Sequence, residues 1–296
     1  MAAAEIELVL DAHAAFGESP TWSAHEQALY WIDIRAPALH RYDPASGAAG
    51  AWRMPDEIGC FALREAGGGA IIGLRSGLHT LDFATGELVQ RAGPPYDPAL
   101  HRFNEGACDG TGRFWLGTMF EPKRPYRGDP QPGALFSYTA QTGLVPHRDL
   151  ALTPNGLAWS GDGRTLYFAH SEQRTIYAFA FDGAAGRLGR RLLFATVPAN
   201  FGVPDGAAVD VEGCYWSAVH GGGRIRRYRP NGEVDRDIAL PVSCPTMCAF
   251  GGAALDVLYI TSAAEGAGRP ASEPHAGGVF RCRPGVRGLP RSGFAG

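Results

Sequence analysis

The sequence lacks any long hydrophobic run. No stretch approaches the roughly 18 unbroken apolar residues of a membrane helix, which argues against a membrane partner. The N-terminal stretch MAAAEIELVLDAHAAFGE carries Glu5, Glu7 and Asp11 but no Lys or Arg. That is the wrong charge for a signal peptide. Charge of one sign is also missing. There are 27 basic against 30 acidic residues, a net charge of -3. No basic field exists to draw in nucleic acid or acidic membranes, so the expected partner is a small, neutral molecule.

Paired cysteines are absent too. Six cysteines (60, 108, 214, 244, 248 and 282) are scattered along the chain, and none forms a C-x-x-C pair. Cys244 and Cys248 sit in CPTMC, a poor zinc pattern without a second pair. All six read as small buried apolar residues, which suits a cytoplasmic protein. Amphipathic runs at helical spacing are scarce. What is abundant is glycine (41) and proline (22), punctuating short β-rich runs. This pattern reads as all-β.

The runs repeat. LHRYDPASG, LHTLDFATG, LFSYTAQTG, IYAFAFDGAAG, IRRYRPNG and VFRCRPGVRG begin at 39, 78, 135, 176, 225 and 279. Each follows an apolar run: LYWIDI, GAIIGL, RFWLGTM, TLYFAHS, CYWSAV or VLYITS. A unit of this length, made of strands and turns, matches a four-stranded blade. Six units predict a six-bladed β-propeller forming one domain over residues 1–296, with Trp and Tyr in the blade core. The stretch KRPYRGDPQPG at 123–133 reads as a loop inserted near the channel mouth.

Aligning the repeats puts six residues in one slot: Glu18, Gly59, Asn104, Asn155, Asp205 and Thr246. At the start of innermost strands, these positions would face the central channel. Two carboxylates and two amide oxygens converging there call for a cation. Hard oxygen ligands suit Ca²⁺, Mg²⁺ or Mn²⁺, and Zn²⁺ also accepts carboxylate oxygen. The competing reading treats PNG at 154–156 and PDG at 204–206 as ordinary turns. GESPT at 17–21 is not a nucleophile elbow, because it lacks the second glycine and a strand–turn–helix context. His220, ahead of GGG, reads as a loop residue of the channel mouth, with an active-site donor as the alternative.

The blocks GESPTW, RFNEGACDGTGRFWLGTM, LTPNGLAWSGDGRTLYFAHS, VPDGAAVDVEGCYWSA, PTMCAFGG, LYITSA and GGVFR run nearly the full chain. In order and spacing they resemble the gluconolactonase/regucalcin, or senescence-marker-protein, family. The resemblance implies hydrolysis of sugar lactones with one divalent ion in the channel, whether calcium, zinc, magnesium, manganese or iron. It implies Glu18, Asn155 and Asp205 as metal ligands. It also implies that Arg102, Asn104 and Glu121 contact the substrate, a small sugar lactone.

Such a metal would polarise the lactone carbonyl and activate water. Glu18 and Asp205 form the catalytic pair, with Asp205 as the base or as the holder of the attacking water. Plainer readings of Arg102 and Glu121 are a surface salt bridge and a solvated loop charge. One departure stands out: the chain reads Asn-Glu-Gly at 104–106 where the family commonly reads Asn-Asp-Gly, so Glu105 adds a methylene. Rival functions are a propeller esterase or organophosphate hydrolase, and a calcium-binding regulatory protein. The protein is expected to be a monomer.

Overall fold

The computed structural model describes residues 5–147, 151–264 and 272–296. They form six four-stranded antiparallel sheets and, among the described residues, one short helical turn, Ala199–Phe201. The innermost strands are Gly17–Ser23, Ile58–Leu63, His101–Cys108, Pro154–Trp159, Val203–Val209 and Pro245–Gly251, which number the blades one to six. Each packs against the next, and the last against the first, closing a six-bladed β-propeller.

The apolar runs of the sequence form the second strand of every blade. Ala28–Asp33, Gly69–Leu74 and Val257–Ser262 are buried along their whole length. These strands lie between two blades, so both faces are covered and the polar alternation of a half-exposed strand disappears. The outermost strands invert the pattern. Ala49–Arg53 and Leu88–Ala92 are mostly exposed, and an edge of that kind is kept soluble by charge and shortness. Trp31, Trp115 and Trp216 are among the largest fully buried side chains. The Trp115 and Trp216 indoles donate to Asp109 and Asp210, each at 2.8 Å. Trp and Tyr therefore build the blade core, as the sequence implies.

Two terminal segments lock the ring. Glu7–Leu10 pairs with Val279–Cys282 as the outermost strand of blade six, so the last blade is assembled from both ends of the chain. The C-terminal tail crosses one end of the channel. Gly288 bridges Asp210, Ser292 bridges Cys108 and Phe294 bridges Arg64. The Arg291 guanidinium donates to the Pro20 carbonyl at 2.9 Å. Between the tail and the blades lies a cavity of about 250 Å³, lined by Leu157, Ala158, Ala207, Phe250 and Leu289 among others. That end is the floor.

One cysteine departs from expectation. Five are buried, but Cys244 is half-buried, and the neighbouring His220 lowers its thiol to about 7. It follows the end of blade five rather than lying within a strand, so no neighbouring sheet covers it.

Candidate active site

Every innermost strand slips register against its neighbour near its start. The slips fall between Glu18 and Thr21, Ile58 and Cys60, Phe103 and Gly106, Asn155 and Ala158, Pro204 and Ala207, and Pro245 and Met247. These are the six slot positions. A bulge re-aims a side chain out of the regular pleat, and repeated six times it builds a ring of outlying positions. Two members serve the scaffold. A Cβ on Gly59 would stand 1.9 Å from the Phe103 carbonyl oxygen of the next blade, so only glycine fits. The Thr246 hydroxyl donates to the Gly17 carbonyl at 2.6 Å and joins blade six to blade one.

The other four make the site. Glu18 and Asp205 are only 8% and 7% exposed. Burial pushes the Glu18 carboxyl up to about 7, against the Ser19 amide, which donates to Oε2 at 2.5 Å. Ser19 itself adopts φ +53°, a left-handed conformation that is uncommon for serine and turns the backbone beside the carboxylate. Asp205 is raised well above the usual range by burial and then by the charge of Glu18. His220, expected first of all in a channel-mouth loop, instead ends the second strand of blade five, with Nδ1 3.6 Å from Asp205 Oδ2 and its ring stacked on Phe16. Burial opposes its charge, but Cys244, Asp205 and Glu18 outweigh burial and raise it to about 9.

The amides are wired across three blades. Arg102 Nη1 donates to Asn104 Oδ1 at 2.9 Å, and Asn104 Nδ2 donates to Asn155 Oδ1 at 2.8 Å. Asn155 Nδ2 donates to the Ser171 hydroxyl at 2.9 Å, which donates to the Pro204 carbonyl at 2.7 Å. This relay fixes Asn155 with its nitrogen toward blade five and its oxygen toward Asn104. Glu105 spans the gap between blades instead. Its Oε1 accepts from the Leu157 amide at 2.9 Å, and its buried Oε2 has no hydrogen-bond partner. Burial and the charge of Glu18 raise it well above the usual range.

Glu121 stands apart from the slot ring, as a member of an arginine cluster on the rim. Arg35, Arg75 and Arg102 all donate to its carboxylate. Burial works to raise its pKa, but Arg102 and Arg35 prevail and hold it at about 2. Arg102 is a buried member of this cluster, not a surface ion pair. Arg35, Arg75 and Glu57 carry no repeat or motif signal. Nor does His220, the last residue of the second strand of blade five, where it pairs with Val203.

Glu18, Asn155 and Asp205 together offer two carboxylates and an amide oxygen. Among the described residues no three His, Cys, Asp or Glu side chains are grouped to hold a metal, so an ion here would rely on the amide. Burial raises Glu18, Asp205 and Glu105 alike, and the charge of Glu18 adds to the rise at the other two. A divalent cation fits that donor set.

Fold and rim define a six-bladed propeller with an acid-rich, oxygen-donor channel. The chain belongs to the SMP-30/Gluconolactonase/LRE-like family, whose model matches residues 16–264. A 6-deoxy-6-sulfogluconolactonase from Pseudomonas putida is 41% identical over 98% of this chain and 99% of its own length. A regucalcin from Gallus gallus is 34% identical over 100% of both chains. Among solved structures, a calcium-binding regucalcin from Agrobacterium tumefaciens superposes with a TM-score of 0.90 at 25% identity, covering 99% of each chain. The protein is an enzyme of the lactonase class, a hydrolase of carboxylic esters.

Proposed function

We propose that the protein hydrolyses a sugar lactone to its aldonic acid with one divalent ion held by Glu18, Asn155 and Asp205. The observation that carries this reading is the buried pair Glu18 and Asp205, each raised by burial, with the Asn155 amide oriented at the same ring position. When bound, the ion supplies Lewis-acid polarisation of the ester carbonyl and lowers the pKa of coordinated water.

The residues divide the remaining work. Glu18 and Asp205 contribute two negative charges, and Asn155 contributes none. Asp205 Oδ2 takes the proton of the attacking water, and the His220 imidazole beside it steadies the carboxylate. Arg102 keeps an Nη2–H for a sugar hydroxyl, while Asn104, whose amide N–H groups go to the Pro154 carbonyl and Asn155 Oδ1, has its Oδ1 to offer as an acceptor. Their mutual hydrogen bond sets both side chains before substrate arrives, which reduces the ordering lost on binding. Glu121 acts by aligning Arg102.

The test is proton release on a panel of aldono-1,4- and 1,5-lactones, using chelator-stripped protein with single divalent ions restored one at a time. Ion-dependent turnover above the spontaneous rate is expected. Turnover unaffected by complete metal removal overturns the metal assignment. Regucalcin relatives support a second reading, calcium binding without essential catalysis. It is favoured if Ca²⁺ binds tightly and no lactone is opened.

A further inference from the structure

The apolar floor of the channel has one exception, Arg291, which enters it from the C-terminal tail. Its Nη1 donates to the Pro20 carbonyl at 2.9 Å and to the Thr21 hydroxyl at 3.1 Å. Among the described residues, its Nε and Nη2 have no acceptor and its guanidinium forms no ion pair. Burial works against its charge, and Glu105 is foremost among the groups that favour it. Yet Glu105 gives its Oε1 to the Leu157 amide at 2.9 Å. A guanidinium held away from solvent costs free energy until its donors and its charge are matched.

Arg291 borders two voids. One, of about 40 Å³ beside Thr21, Trp22 and Phe61, has room for little more than a water. The other is the cavity of about 250 Å³ under the tail. Its walls include Leu157, Ala207, Val209, Ala249, Phe250 and Leu289, and Arg291 is its one charged side chain among the described residues. The exposed Gly161, in a turn of blade four, borders its solvent side. The tail wall is fixed on both sides of Arg291. The Leu289 amide donates to the Val209 carbonyl at 3.2 Å, and Ser292 bridges Cys108. The cavity is therefore formed before anything enters it.

Size and chemistry agree on one kind of occupant. A cavity of about 150 Å³ lined by Leu, Ile and Phe takes up benzene, so this larger one has room for an apolar ring or short chain with a head group. The Nε–Nη2 edge of a guanidinium is a fork that meets both oxygens of a carboxylate. Pre-formed apolar walls with one placed polar group are the usual make-up of a small-molecule site. We propose that this cavity is a second ligand site, apart from the active site, for an apolar monocarboxylate of the size of benzoate or hexanoate, with its carboxylate on the Nε–Nη2 edge of Arg291. Polyhydroxy acids are excluded from it, because their hydroxyls would give up water for alkyl walls. The site needs neither the metal nor the lactonase reading, so it stands or falls separately from both.

The experiment is calorimetric titration with benzoate, its neutral isostere benzamide, hexanoate and gluconate, on metal-loaded wild type and on Glu18→Ala. Glu18→Ala removes the ion at the mouth, to which any carboxylate could bind. In that variant benzoate is expected to bind one per chain and at least about tenfold tighter than benzamide, the scale of one charge-assisted hydrogen bond. Hexanoate should exceed gluconate, a carboxylate of the same chain length, by a similar factor. Arg291→Met keeps the length and apolar bulk of the side chain and should weaken benzoate by about tenfold or more. Arg291→Lys keeps the charge without the fork and should recover only part of that loss. Equal binding of benzoate and benzamide overturns the site. So does benzoate binding that disappears in Glu18→Ala and survives in Arg291→Met, because that puts the acid on the metal. No saturable heat below about 10 mM also overturns it and marks a cavity that holds only water. The comparison of benzoate with benzamide needs no substitution at the floor, so it decides the matter even if both Arg291 variants fail to fold.

Discussion

The two ends of the channel are built from the same six strands and behave oppositely. At the mouth, strands begin with bulges, carboxylates are buried together, and arginines crowd the rim. At the floor, the same strands run on into small apolar residues and are covered by the C-terminal tail. Buried like charges destabilise a fold unless something compensates. The floor compensates by conventional means: aromatic burial, ladder hydrogen bonds and the Asp–indole contacts of Asp109 and Asp210. Stability is concentrated at one end, and unsatisfied charge is stored at the other, where a ligand can use it.

The largest effect is expected at the mouth. Asp205→Ala and Glu18→Ala should each lower kcat by about a thousandfold or more, from the loss of a ligand and a base. Without metal, neither should lower Tm, because each relieves buried repulsion. Proton-release kinetics beside thermal melting checks both halves. A variant that melts early and loses activity only through unfolding erases the contrast between the ends.

The floor should respond the other way. Phe294 is buried beside Tyr138, with ring centroids 6.0 Å apart. Phe294→Ala should cost about 3–4 kcal/mol in urea unfolding and leave kcat/KM within about twofold below the transition. A large loss of kcat in the folded variant would show that the tail reaches the chemistry.

Metal should sharpen the same division. A divalent ion in excess should raise the wild-type Tm by several degrees, because it binds only the folded site. The rise should vanish in Glu18→Ala and persist in Phe294→Ala. Equal shifts in both variants would place the ion elsewhere.

The smallest effect concerns pH. The folded pKa of Glu121, about 2, lies below the ordinary carboxylate value. Its stabilisation is therefore complete above about pH 4.5 and drains away as pH falls toward 2. Glu121→Gln should cost about 2 kcal/mol at neutral pH, discounted for partial exposure. That difference should shrink across the window from pH 4.5 to 2. A difference independent of pH would mean that the arginines do not depress this carboxyl.

Much of the mouth was legible because it repeats. Counting back from the apolar residue before each turn located Glu18, Asn104, Asn155 and Asp205, and the bulges fall where that count points. The count also located Gly59 and Thr246, which serve blade packing rather than chemistry. What escaped was whatever does not repeat. Arg35, Arg75 and Glu57 come from blades one and two and meet at Glu121 of blade three, which the family resemblance alone had singled out, only when these blades pack together. His220 gave no sign in the chain that Asp205 would lie beside it. Cys244 was read as buried, yet it sits past a strand end where no blade covers it.

The sequence by itself determined the six-fold repeat, the apolar second strands and the slot, because strand period, turn residues and repeat spacing are local properties. Only the tertiary structure decided that Glu7–Leu10 completes the last blade, that the tail seals the floor and that three arginines share one carboxylate. Those contacts join residues far apart in the chain, and their partners are chosen by ring closure and by charge, neither of which is written in any single repeat.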